Sequence, residues 1–350
     1  MFYNILLYLG EIMGAIRQTL INEISVLIRK VNNMPNGKER DFLILKIDAK
    51  LSFMYYAEYI KLYEYQGLWK KITRNNDKCY QRQNEVFTAF YNDNIELSKM
   101  YDDEIGEFDL HHIKRYDVKV NPNIMNNLVD SFLEYLDIKS IFKQIKDNNM
   151  FIKGSSRVIE GECIDNYDEL SYIVLGRNPK DEMEYYINLI HEIGHAYINK
   201  IIHQNNMQFL GYEVYREIFS NLFVLMFLDF VNEKKVMPSN KIDGIIKNYE
   251  TVKKYNLYLG QIVCETIKEI SRVNHMSYQK YAMIVNSISE DIPVDIHYSS
   301  IGHIVASRLF NEYKQDKKGF IENLPYLIRD ISKMDFNEIL SVYIKKQKTK

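Results

Sequence analysis

Three cysteines, six prolines and one tryptophan are few for a chain of 350 residues, and each scarcity excludes something. Cys79, Cys163 and Cys264 stand far apart with no C-x-x-C pair, which argues against a disulfide framework and against a cysteine zinc knuckle, and for a reducing compartment. An excess of charge is also missing: 45 Lys and Arg face 47 Asp and Glu, a formal net charge of −2. No overall pull toward nucleic acid or anionic lipid follows, so partners must be chosen by local sites. Long apolar runs are absent too. The richest, residues 218–231, falls short of the roughly 20 residues a bilayer requires and is interrupted by Ser220, Asn221 and Asp229. The apolar start, residues 1–16, has no basic residues ahead of it and carries Glu11, so it reads as a buried helix rather than a targeting segment. A soluble, cytoplasmic protein is expected, with no nucleic-acid or membrane partner.

The composition is that of a globular chain, 46% hydrophobic and 26% charged, long enough for one large core or two modest ones. Prolines at 35, 122, 179, 238, 293 and 325 leave long gaps in which helices can run. From Ile5 to Val31 apolar residues return at steps of three and four, as an amphipathic helix requires. Further helical patterns cover residues 41–73, 84–100 and 123–147. The 28 tyrosines spread over the chain serve mostly as packing residues with a hydroxyl at the surface. Between 150 and 176 the texture changes to short, β-branched, Gly-bounded segments at 151–159 and 170–176, which is strand chemistry. After Pro179 the helical period resumes. The expected class is mainly α with a small β-sheet, divided into a helical N-terminal region at 1–149 and a second domain at 150–350.

Chemistry concentrates at His191-Glu192-Ile193-Gly194-His195, inside a segment whose apolar face is Tyr186, Ile187, Leu189, Ile190, Ile193 and Ala196. On a helix, His191 and His195 are one turn apart and aim two ring nitrogens at one cation. Glu192 stands beside them, placed to take a proton from a water, and Gly194 clears space for a close approach. The alternative is a pair of hydrogen-bonded histidines on an ordinary helix. A catalytic zinc takes three protein ligands and leaves a fourth position open, so a third ligand is expected downstream. Glu213 and Glu217, one turn apart on the next helical stretch, both qualify. Glu217 is preferred because it leads directly into the apolar run 218–228 and is drawn inward with it. Glu213 is the fallback, and its bland reading is a solvated residue paired with Arg216 or Lys200. One Zn2+ per chain is expected, held by His191, His195 and Glu217, with Glu192 as general base.

With these residues in view, His191-Glu192-Ile193-Gly194-His195-Ala196 followed by Glu217-Ile218-Phe219-Ser220 resembles the M3 family of zinc oligopeptidases, the thimet oligopeptidase and oligoendopeptidase F group. The resemblance covers about residues 150–310. It implies a gluzincin-type, zincin-like catalytic domain that cleaves short or extended peptides as an oligoendopeptidase. Ser171-Tyr172-Ile173-Val174-Leu175 resembles the family's edge strand ahead of the zinc helix, which implies that Tyr172, Ile173 and Val174 bind peptide backbone. It also implies an oxyanion donor from residues 295–303, with His297, Tyr298 and His303 as candidates, although the spacing departs from the family pattern and His303 stands where a second tyrosine is expected. The bland reading of these three is turn and helix-start chemistry. Carboxypeptidases of the M32 type share the H-E-x-G-H helix and a later glutamate, and remain an alternative. A third reading is a catalytically inactive peptide-binding or interaction protein on a peptidase-like fold. His111, His112, His203 and His275 lack ligand spacing and read as surface residues. The sequence leaves the oligomeric state open.

Overall fold

A computed structural model describes residues 2–35, 37–73, 118–167, 170–205, 214–252, 269, 272–273, 294–334 and 336–343. The chain is mostly helical with one small sheet, as expected. By contact it divides into two units that interleave in sequence, residues 1–77 with 120–207, and residues 78–119 with 208–350. The helical pattern at 84–100 lies outside the described residues. Among those described, no helix is long and apolar enough to cross a membrane.

The first unit begins with α1 (Phe2–Asn32), whose periodic apolar positions Leu20, Ile24 and Val31 are buried. It packs on α2 (Lys38–Tyr56), which in turn meets α3 (Leu62–Thr73) and the sheet. The sequence pattern predicts one helix over 41–73, and the chain instead breaks it at Glu58, which takes the left-handed conformation with φ 63°. The Glu58 amide bonds to the Tyr55 carbonyl at 3.0 Å and the Tyr59 amide to that of Met54 at 2.8 Å, the paired closure of a Schellman stop. The same device, at Asp137 (φ 57°), separates α4 (Pro122–Tyr135) from α5 (Lys139–Asp147), where the pattern also predicts a single helix. Helix stops of this kind use glycine by preference, so two stops built on Glu and Asp leave no glycine signal in the sequence.

Three strands follow: β1 (Phe151–Ser155), β2 (Gly161–Ile164) and β3 (Tyr172–Gly176). Their order is β1-β3-β2, with β1 parallel and β2 antiparallel to β3. The middle strand is buried along its length, which accounts for its uninterrupted apolar run. β2 is the strand that the sequence pattern did not single out. Its four residues, Gly-Glu-Cys-Ile, contain too few apolar positions to show a period. Arg157 ties the β1–β2 loop to the end of α2 by donating to the carbonyls of Tyr55 and Ile60, and Glu58 accepts from the Ser156 amide and hydroxyl. α6 (Met183–Gln204) then packs on β2, β3 and α4.

The second unit is built on α7 (Val214–Glu233). Its residues Leu222 to Leu228 are each at most 1% exposed, so the helix is apolar all round because it is enclosed all round. Residues 239–252 form α8, and α9 (Val294–Gln315), α10 (Lys317–Ile331) and α11 (Phe336–Tyr343) follow. α9 lies along α7, and α10 touches both. The close approach of α9 to α7 depends on Gly302: a Cβ there would lie 2.6 Å from the Glu217 Cβ and 2.7 Å from its carbonyl carbon. Lys317 holds the far end of α7 through Asp229 and Glu233.

Candidate metal centre

α6 forms because apolar residues recur around it and because an acidic residue, Glu184, sits in its first turn where the helix dipole favours negative charge. Its spacing brings His191 and His195 together on one face. Their Nε2 atoms stand 3.1 Å apart, with ring centroids 4.7 Å apart and planes at 84°. Two ligands of a tetrahedral zinc at bond lengths of about 2.0–2.1 Å are separated by about 3.3 Å, so the two nitrogens already span nearly the edge that such an ion needs. His195 is 7% exposed and His191 is half-buried, which leaves one side of the pair open to solvent.

Glu192, on the same turn, is 6% exposed. Its carboxyl lies against the backbone of β2 at Gly161, where an added Cβ would come within 2.7 Å of its Oε1. Glu217 opens the first turn of α7, half-buried, with Gly302 against its Cβ. Its carbonyl accepts from the Asn221 amide at 2.5 Å, and Asn221 Oδ1 accepts from the Tyr249 hydroxyl at 2.5 Å. His191 and His195 each offer a ring nitrogen as a ligand atom on α6, and Glu217 offers a carboxylate oxygen on α7. Two imidazoles and a carboxylate are the nitrogen and oxygen donors that zinc accepts in catalytic sites, so the residues fit the ion. The fallback ligand Glu213 lies outside the described residues.

Several other expectations come out differently. The segment at 171–175, read as an exposed edge, is in fact the middle strand. Ile173 and Val174 are paired on both sides, with Phe151 and Ile152 of β1 and with Cys163 and Glu162 of β2, and Tyr172 pairs with Ile164 of β2. Strand order rests on pairing between distant segments, which the apolar run alone does not encode. The edge beside Glu192 is β2. His297 and Tyr298 stand near the start of α9, which agrees with the helix-start reading, and His303 lies further along the same helix. Nothing is described of the first two side chains. His303 is buried, with Nε2 3.4 Å from the Ser307 hydroxyl and the Tyr249 ring edge-on at 5.0 Å. His203, read as a surface residue, pairs through Nε2 with the buried Asp165 at 2.8 Å. His111, His112 and His275 lie outside the described residues. Sequence reasoning passed over Gly161 and Tyr249 altogether. A glycine in a short strand and one tyrosine among 28 carry no local signal of chemistry.

No protein-family model and no curated protein matches this chain. Two solved structures are similar to it. One, provisionally described as an oligoendopeptidase F from Bacillus anthracis str. Ames, has a TM-score of 0.48 and 15% identity over 87% of this chain and 58% of that one. The other, a second protein of the same provisional description, has a TM-score of 0.46 and 14% identity over 93% of this chain and 71% of that one. The chain thus spans under two thirds of the first neighbour's length.

Proposed function

We propose that this protein is a zinc-dependent peptidase in which His191, His195 and Glu217 hold one metal ion and Glu192 acts as general base. The observation that carries the reading is the pair of facing imidazole nitrogens 3.1 Å apart on α6. Glu217 is the third ligand in this reading because it is a half-buried carboxylate in the first turn of α7, directly ahead of the apolar run 218–228. Zinc, when bound to this set, would supply a Lewis acid that lowers the pKa of water to about 7. Glu192, held beside β2 on the same turn, takes a proton from that water and passes it to the leaving amine. An imidazole or hydroxyl from α9, among His297, Tyr298 and His303, donates a hydrogen bond to the oxygen on which negative charge develops.

The substrate in this reading is an extended peptide. Its backbone adds to the edge of β2, a mode of binding that uses main-chain hydrogen bonds and demands little of the peptide's sequence. The peptide-binding role expected of Tyr172, Ile173 and Val174 therefore passes to the strand paired with them. A cytoplasmic location belongs to the same reading, resting on the scattered cysteines.

Metal analysis and two substitutions test it. The purified protein should carry about one zinc per chain, and His195→Ala should lose it. Glu192→Gln should keep the zinc and lose at least about a hundredfold in peptide hydrolysis, as removal of a general base does. Cut positions in a mixed peptide library, read by mass spectrometry, give the specificity. Undiminished turnover by Glu192→Gln removes the base from its role, and a full metal load in His195→Ala removes the centre.

A further inference from the structure

The geometry points to Gly161 as a positioning residue for the general base: the absence of a side chain there makes the space in which the Glu192 carboxyl lies. This rests on the peptidase reading of Glu192 and deepens it.

Gly161 is a strand residue, paired with Leu175 across the antiparallel ladder. Glycine weakens a strand, because it contributes no side chain to pack and loses the most backbone freedom on folding. Its backbone here lies outside the left-handed region, so no special conformation calls for it. Room does. A Cβ at this position would lie 2.7 Å from Glu192 Cγ, 2.7 Å from its Oε1 and 3.0 Å from its Cδ. Carbon atoms in contact settle at about 3.5–4.0 Å, so all three approaches are closer than packing allows.

Glu192 has little freedom to yield without consequence. It is 6% exposed and sits on α6, which packs on β2. A methyl group at 161 must either push β2 off α6 or turn the Glu192 side chain into another rotamer. The conflicting atoms belong to a flexible side chain and not to backbone, which makes the rotamer change the easier of the two. The fold and the histidine pair then persist while the carboxyl leaves its place. Since β2 is also the strand to which the peptide adds in the proposed function, Gly161 sets the separation between base and substrate backbone.

The test compares the zinc-loaded wild type with Gly161→Ala, Glu192→Gln and the double variant on one peptide from the library. Gly161→Ala should retain about one zinc per chain, keep KM within about threefold and lose tenfold or more in kcat, because an interaction realised in the transition state is what has been displaced. On the Glu192→Gln background the same substitution should change the residual rate less than twofold, since the group it displaces no longer acts. A merely structural glycine would cost the same factor on both backgrounds. Crystal structures of the metal-free wild type and Gly161→Ala give a readout independent of turnover, in which the Glu192 carboxyl should occupy a different rotamer. An unmoved carboxyl, or equal losses on the two backgrounds, overturns the inference. A moved carboxyl in a protein whose wild type cleaves no peptide leaves the contact standing and removes the peptidase reading instead.

Discussion

Asp48 shows how one buried carboxyl sets a pH dependence. Burial in α2 pushes its pKa from 3.8 up to about 6, and the hydrogen bond from Tyr65 offsets only part of that cost. Between these two values the native state holds the proton that the unfolded chain has released, so stability falls as pH rises through the window. Below about pH 4 both states are protonated and the effect vanishes; above about pH 6 the full cost, on the order of 3 kcal/mol, is present. Asp48→Asn should therefore stabilise the protein at pH 7 and leave it nearly unchanged at pH 4. Urea titrations at the two pH values check this, and a constant difference between variant and wild type would contradict it. Among single residues, the histidine pair was legible from sequence because four-residue spacing is a local property of a helix. Gly161 was not, since its meaning lies in a side chain that approaches from 31 positions further along the chain.

Helices and strands were legible to different depths. The apolar period located α1, α6 and α7, but it ran through the stops at Glu58 and Asp137, where charged residues take the conformation usually left to glycine. The strand texture at 151–159 and 170–176 marked β1 and β3 and missed β2 between them. The contact of α9 with α7 offers a test of an element's position. At Gly302 the opposing atoms include the Glu217 carbonyl carbon and the Ile218 amide nitrogen, backbone that cannot turn aside. Gly302→Ala should therefore force the helices apart and cost about 1–3 kcal/mol, the usual range for overpacking. Because Glu217 is the residue pressed upon, zinc affinity should fall as well. Chemical denaturation and a zinc titration measure the two effects, and unchanged values in both would show that α9 yields without strain.

For the chain as a whole, a ligand that binds the folded form and not the unfolded one raises stability by mass action, about 2.7 kcal/mol at a hundred times its Kd. Zinc should thus raise the thermal midpoint of the wild type and leave that of His195→Ala where it is, with hydrolysis lost on chelation and regained on adding the metal back. Calorimetry with and without chelator decides it. The sequence by itself determined a mainly helical protein with a small sheet, and it placed two imidazoles and a carboxylate on consecutive turns of α6, because those features follow from spacing along a single element. Only the tertiary structure decided that β3 lies in the middle of its sheet, that β2 is the edge beside Glu192, and that Gly161 and Gly302 leave the room Glu192 and Glu217 occupy. Each of those joins segments far apart in sequence, and such pairing is settled by which surfaces bury one another rather than by any local pattern.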